Sequence, residues 1–272
     1  MNIPIKNLIL DMDGVLWRGE TPMPGLVAFF DTLRAGGIGF VLATNNATKT
    51  AAMYTERLAR FGVDVPPHQI LTSAEATASY LADLYEPGSP LYVIGAMGLH
   101  DALTAQGFEI LSAAAVRAGA AAVSVVAGLS PLMTYDELAM GAHLVNQGVP
   151  FVGTNPDPTF PSEIGPLPGA GAILAMLTTA TGVEPTIIGK PGPIVFREAV
   201  KRLGSDPSTV AMVGDRLSTD IRGAKAAGLR AILVLSGIST REEAETGPIR
   251  PDYIMADITE LAAFLRQEQV IA

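Results

Sequence analysis

The sequence predicts an α/β fold, an open parallel sheet with a second α/β domain inserted into it. Three observations carry that reading. Leu8-Ile9-Leu10 runs straight into Asp11-Met12-Asp13-Gly14, Phe40-Val41-Leu42-Ala43 into Thr44-Asn45-Asn46, and Val210-Ala211-Met212-Val213 into Gly214-Asp215. Short, wholly apolar runs read as strands buried on both faces, as in parallel sheets. Ligands of open α/β sheets bind outside the carboxyl ends of the strands. Three strands that each deliver polar groups at that end therefore describe one site assembled from distant sequence.

The first strand spans residues 6–10. Pro24 then suits a first helical position, Leu26, Phe29, Phe30 and Leu33 form an apolar stripe, and Gly36 can end the helix. The next strand covers 39–43, and residues 44–48 form a polar turn. A helix follows with Tyr54, Leu58 and Phe61 on one face and Gly62 as its stop. Beginning just after Thr44-Asn45-Asn46, it would aim free backbone N–H groups at that turn, which favours an anion. A short strand at 69–72 and a helix at 74–85 lead to the breaker Pro87-Gly88-Ser89-Pro90.

After that breaker the alternation restarts, with strands at 91–94, 121–126 and 151–154 and helices at 99–106 and 170–181. Thr134-Tyr135-Asp136-Glu137 matches a capping box. The helix it opens carries Tyr135, Leu138, Ala139, Ala142 and Val145 on one face and stops at Gly148. A block with its own strands and helices reads as an inserted domain. Residues 186–189 lead to Lys190-Pro191, followed by a helix at 193–203, the Val210 strand and a helix at 220–227 stopped by Gly228. Strands at 231–235 and 253–255 and a helix at 258–266 complete the chain. The segment 237–250, charged and ending with Gly247-Pro248, is expected to be the most flexible piece.

Composition narrows the function. A chain of 272 residues, 49% of them hydrophobic, can bury a substantial core and is not a disordered protein. It has no cysteine, which removes disulfides, thiol catalysis and thiolate metal sites and is compatible with a cytoplasmic enzyme. A formal net charge of -9 argues against nucleic acid or an anionic membrane as partner. An anionic substrate remains accessible if local cations and a metal correct the field. The N-terminal region carries Asp11 in its first apolar run and no cleavage-site pattern, so no signal peptide is expected. The uncharged stretches 118–135 and 164–183 are interrupted by glycines and prolines and read as buried pieces rather than membrane spans.

Asp11 and Asp13 are the sharpest chemical signal. Two close carboxylates do not both ionise cheaply, which suits a division into an ionised nucleophile and a partly protonated neighbour that donates to a leaving group. Asp215, arriving on another strand end, could share a hard divalent ion with Asp11, and Mg²⁺ takes one or two carboxylates plus waters and phosphate oxygens. The bland alternative for the pair is an Asx turn or helix cap. Thr44 and Asn45 could donate to phosphoryl oxygens or simply cap the following helix. Lys190, beside Gly189 and Pro191, could neutralise the carboxylates and hold a phosphoryl group as a point charge, or be a solvated surface lysine. Asp220 could be a first-turn helix acid, or orient Lys190 or a metal-bound water. His68, His100 and His143 have no partner at ligand spacing and read as structural or exposed. Trp17 and Arg18 line the site mouth or pack.

Taken together, Asp11-x-Asp13-Gly14-Val15, Thr44-Asn45-Asn46, Gly189-Lys190-Pro191 and Gly214-Asp215-Arg216-x-x-Thr219-Asp220 resemble the haloacid dehalogenase superfamily of phosphatases. The strings Asp13-Gly14-Val15-Leu16-Trp17-Arg18-Gly19 and Gly153-Thr154-Asn155-Pro156-Asp157 bring it nearest to subclass IIA, the nitrophenylphosphatase, pyridoxal-phosphate and phosphoglycolate phosphatase group. The resemblance covers essentially the whole chain. It implies a Rossmann-like core of residues 1–77 and 186–272 with an α/β cap domain at 78–185. It implies Asp11 as the nucleophile that becomes aspartyl-phosphate and Asp13 as general acid, then base. Thr44, Asn45, Asn46 and Lys190 would bind the phosphoryl group; Asn155 and Asp157 are read either as cap residues near the substrate or as the turn between strand and loop. Mg²⁺ would be held by Asp11, the backbone carbonyl of Asp13, and Asp215, with Asp220 in support. Relatives often carry Ser at the positions of Ala47 and Gly192, so two hydroxyl contacts near the phosphate are missing here. The expectation is a Mg²⁺-dependent phosphomonoester hydrolase of a small phosphorylated metabolite, cytoplasmic, binding neither nucleic acid nor membrane, and dimerising through the cap. A phosphotransferase, a catalytically silent phosphometabolite-binding protein or a dehalogenase on the same fold are the alternatives.

Overall fold

The structure, a computed structural model, describes residues 5–162 and 164–271. The chain forms two compact units. The first comprises residues up to Thr44, Ala51–Leu71 and everything from Val195 onward; the second comprises Asn45–Thr50 and Thr72–Ile194.

The first unit is built on a six-stranded sheet ordered Tyr253–Met255, Arg230–Val234, Val210–Gly214, Asn7–Leu10, Gly39–Thr44, Ile70–Thr72. The pairings around Asn7–Leu10, and those on to the Tyr253 edge, are all parallel. The apolar run Leu8-Ile9-Leu10 lies at the centre because it is fully buried, paired with Ala211-Met212-Val213 on one side and Phe40-Val41-Leu42 on the other. Asp11 N donates to Val213 O at 2.9 Å, so the ladder holds the first carboxylate at its very end. Helix Leu26–Ala35 buries the expected stripe of Leu26, Phe29, Phe30 and Leu33 and ends on Gly36. Helices Ala51–Arg60 and Ile258–Ile271 add Tyr54, Leu58, Leu261 and Leu265 to the same core.

The second unit has its own five-stranded parallel sheet, ordered Thr186–Ile187, Phe151–Gly153, Ser124–Ala127, Pro90–Ile94, Glu109–Leu111. Helices Tyr135–Asn146 and Ala170–Thr181 cover it, burying Leu138, Leu144, Val145, Ile173, Leu174 and Leu177 in a separate core. The capping box at Thr134 and Glu137 is present as expected. Among the described residues no helix is long and apolar enough to cross a membrane.

Several local expectations are corrected. The helix expected just after Thr44-Asn45-Asn46 begins only at Ala51. Asn46 Oδ1 accepts from Thr48 N at 2.8 Å and Thr48 Oγ1 at 2.7 Å, an Asx turn that holds the chain out of helix and removes both the capping role and the helix-terminus argument. Tyr135 is 86% exposed rather than on the buried face. That helix packs closest at Gly141, where a Cβ would lie 2.8 Å from the Ile94 Cδ1. The helix expected over 220–227 splits into a widened turn, Leu217–Ile221, and helix Arg222–Ala226. The segment 237–250 contains helix Arg241–Thr246, opened by a second capping box at Thr240 and Glu243, and a third box at Thr72 and Glu75 opens helix Ser73–Ala82. Both carry the Thr-x-x-Glu signature and were visible in the sequence. The strand Glu109–Leu111, helix Ala113–Arg117 and the antiparallel pair Thr159–Ser162 with Gly165–Pro168 had no periodic signal long enough to find.

Candidate active site

In the first unit two strand ends and the widened turn Leu217–Ile221 bring three carboxylates together. Asp11, Asp215 and Asp220 each bring a carboxylate oxygen within 4.8 Å of the other two. Asp215 and Asp220 are 4% and 1% exposed. Three like charges at that spacing, two of them out of water, are costly without a cation between them. Oxygen donors without imidazole or thiolate suit a hard ion such as Mg²⁺ or Ca²⁺. The donor set therefore fits the metal that the resemblance implies, and among the described residues it is the one cluster of this kind.

The cluster is held from several directions. Asp215 Oδ2 accepts from Ile238 N at 2.8 Å, Asp215 O accepts from Ser239 N at 2.9 Å, and Asp220 Oδ2 accepts from Arg216 N at 3.1 Å. Leu217 N donates to Ser239 Oγ at 3.0 Å. The segment expected to be loose is thus what orients Asp215. A Cβ on Gly14 or Gly237 would overlap the Asp215 carboxylate, and Gly14 also has φ +83°, so side chains are excluded at both positions. Gly237→Ala is expected to displace Asp215 and weaken divalent-ion affinity by about 10- to 100-fold, as loss of outer support does at metal sites. Titrating Mg²⁺ in an activity assay at saturating substrate reads this directly.

Asp13 is exposed, and its Oδ1 accepts from Trp17 Nε1 at 2.7 Å. Gly14 N closes the turn on Trp17 O at 2.8 Å. Trp17 itself is fully buried, stacked at 6.3 Å on Tyr54, with the Arg57 guanidinium 4.4 Å from its ring centre. Thr44 is 5% exposed and is hydrogen-bonded to the Tyr54 hydroxyl. Burial, then the nearby Asp13 carboxylate, push the Tyr54 phenol well above its ordinary value, so it stays a neutral hydrogen-bonding group. Arg18 Nε donates to Ser236 O at 2.6 Å, and Ser236 Oγ donates to Gly14 O at 2.7 Å.

The remaining candidates lie in the second unit, grouped around Asn45. Its Oδ1 accepts from Lys190 N at 2.8 Å, and its Nδ2 donates to Lys190 O at 2.8 Å and to Asp157 Oδ2 at 3.0 Å. Its carbonyl accepts from Asn155 Nδ2 at 2.8 Å and Ser73 Oγ at 2.6 Å. Asn45 therefore clasps the backbone of Lys190, which is 3% exposed. Asn155 and Asp157, expected near the substrate, hold Asn45. A Cβ on Gly192 would come 2.6 Å from Ile187 O and 2.8 Å from Gly189 O, so a side chain here would require this turn to shift.

Comparison with known proteins agrees with this arrangement. Residues 8–109 match the family model described as haloacid dehalogenase-like hydrolase, and residues 187–261 a HAD-hydrolase-like model. The acid sugar phosphatase of Staphylococcus aureus is 39% identical over 262 residues, 96% of this chain and 98% of that protein. The p-nitrophenyl phosphatase from Archaeoglobus fulgidus superposes with a TM-score of 0.88 at 32% identity, covering 96% of this chain and 99% of the other. The glycerol phosphate phosphatase from Mycobacterium tuberculosis in complex with magnesium gives 0.86 at 34%, covering 96% and 78%. Fold, carboxylate cluster and similarity along nearly the whole chain place this protein among the haloacid dehalogenase-like hydrolases, in the subclass IIA phosphatases. It is an enzyme of the class that hydrolyses phosphoric monoesters.

Proposed function

We propose that the protein is a Mg²⁺-dependent phosphomonoesterase of a small phosphorylated metabolite, working through an aspartyl-phosphate on Asp11. The observation that carries this reading is the convergence of Asp11, Asp215 and Asp220 within 4.8 Å of one another. Mg²⁺ held by Asp11, Asp215 and the backbone carbonyl of Asp13, with Asp220 in support, would offset charge on the phosphoryl oxygens and let one anion approach another.

The chain's own groups account for the bond changes. An Asp11 carboxylate oxygen forms a bond to phosphorus while the ester P–O bond breaks. The electron pair leaves on the departing oxygen, which takes a proton from Asp13. Asp13, now ionised, takes a proton from water as that water attacks phosphorus, and the bond to Asp11 breaks, restoring the carboxylate and releasing phosphate. Thr44, the Asn45–Asn46 turn and Lys190 supply donors and a positive charge for the phosphoryl oxygens. Asn155 and Asp157 support that set through Asn45.

Sugar phosphates and glycerol phosphates head the candidate substrates because relatives carry those names, with aryl phosphates as generic probes. The same reading has the enzyme acting in the cytoplasm on soluble substrates, binding neither nucleic acid nor membrane. It includes a homodimer formed through the inserted domain, which sedimentation would detect. The test is a panel of sugar phosphates, glycerol phosphate, phosphoglycolate, pyridoxal phosphate and nucleoside monophosphates, each with Mg²⁺ and with chelator. Phosphate release from at least one of them, abolished by chelator, is expected. Metal-independent release, or none from any, would overturn the reading.

A further inference from the structure

We propose that Trp17 is a positioning residue for the first half-reaction, fixing the Asp13 carboxyl group so that its proton meets the leaving oxygen. The proposal rests on the phosphatase reading above and adds to it a group outside the motif carboxylates.

Asp13 is exposed, and an exposed aspartate ordinarily samples several rotamers. Here Trp17 Nε1 donates to Asp13 Oδ1 at 2.7 Å, which ties down one oxygen and leaves the other as the site of proton transfer. The donor is itself immobile. Its ring is fully buried, stacked on Tyr54 with an interplanar angle of 15°, tilted against Phe61 at 6.1 Å, and faced by Arg57 at 4.4 Å. Arg57 is pinned in turn by a hydrogen bond to Gly19 O and an ion pair with Glu20 at 3.5 Å. The turn that carries both residues is closed by Gly14 N on Trp17 O at 2.8 Å. A rigid indole thus presents its one donor to the one acid that the mechanism requires to be aimed. The one polar atom of this packed ring is directed at Asp13.

Proton donation matters most when the departing oxygen is a poor leaving group. An alkoxide needs the proton as the P–O bond breaks, whereas 4-nitrophenolate leaves without it. The ratio kcat/KM covers steps only through the first irreversible one, so it isolates formation of the phosphorylated enzyme from its later hydrolysis. The experiment measures kcat/KM for glycerol phosphate or a sugar phosphate, and for 4-nitrophenyl phosphate, in wild type, Trp17→Phe, Asp13→Asn and the double variant. Replacement of Trp17 by benzothienylalanine, which keeps the ring and loses the N–H, provides an isosteric version should Trp17→Phe fold poorly.

The expected result is a fall of about 30-fold on the alkyl substrate and under about threefold on the aryl one, a fraction of what a whole general acid supplies. In the Asp13→Asn background the Trp17 change should add almost nothing, because the group it aims is gone. Equal losses on both substrates, or independent effects of the two changes, would assign Trp17 to packing alone and leave the phosphatase reading intact. Absence of hydrolysis by the wild type on either substrate would instead remove that reading, and the proposal with it.

Discussion

Asp11→Asn is expected to lower kcat by at least about 10⁴-fold on every phosphate ester while leaving the protein folded. An amide oxygen is too weak a nucleophile to form the phosphoryl bond, and removal of a nucleophile typically leaves only the residual rate due to binding and charge stabilisation. The backbone at this position is held independently of the side chain, by Asp11 N on Val213 O and by strand Asn7–Leu10 between two parallel neighbours. The change also removes one negative charge from three carboxylates lying within 4.8 Å of each other. Thermal stability without metal should therefore rise or hold, since like charges in the cluster are relieved. Steady-state kinetics beside a melting curve with and without Mg²⁺ checks both halves. A variant retaining a tenth of the wild-type rate would exclude Asp11 as nucleophile.

The second large effect is expected at Lys190. Lys190 is only 3% exposed, and under the proposed reading its ammonium is a compact positive charge for the phosphoryl group. Its backbone is clasped at both N and O by the Asn45 side chain, so the stem starts from a fixed point. Lys190→Ala should reduce kcat/KM by about 10³-fold, with a part of the loss in KM and a weaker inhibition by inorganic phosphate. Lys190→Arg should recover little, because a planar fork does not replace a compact ammonium in a buried setting. Loosening the clasp from the other side, Asp157→Ala removes one of the two acceptors of Asn45 Nδ2, leaving Lys190 O, and should cost a factor of about 10, the size of one lost hydrogen bond. Full activity in Lys190→Ala, measured with the same substrate and Mg²⁺, would remove it from the phosphate site.

How much of this could be read beforehand follows from the range of each interaction. Asp11, Asp13, Thr44 and Asp215 were legible because a buried parallel strand writes itself as an unbroken apolar run, and polar residues at its end are adjacent in sequence. Lys190 drew a functional reading only because four ordered motifs occurred together. The Asn45 clasp was not, since its contact with Asp157 spans 112 residues and no local pattern announces it. Gly14 and Gly237 were unremarkable glycines until the Asp215 carboxylate was seen to fill the space of their missing side chains. The Trp17 to Asp13 bond links residues four apart, yet depends on a tight turn rather than on helical spacing. For Asp220 the sequence left a first-turn helix acid and a supporting role open. The residue lies in the first turn of the widened segment Leu217–Ile221 and also beside Asp11 and Asp215, and that widening has no propensity signature of its own.

The stereochemical course at phosphorus tests the double displacement most directly. An isotopically chiral phosphorothioate ester hydrolysed in labelled water would report it whether or not the phosphorylated enzyme accumulates. Attack by Asp11 followed by attack of water inverts the centre twice, so overall retention is the predicted result; overall inversion would mean that water displaces the leaving group directly and would contradict a covalent role for Asp11.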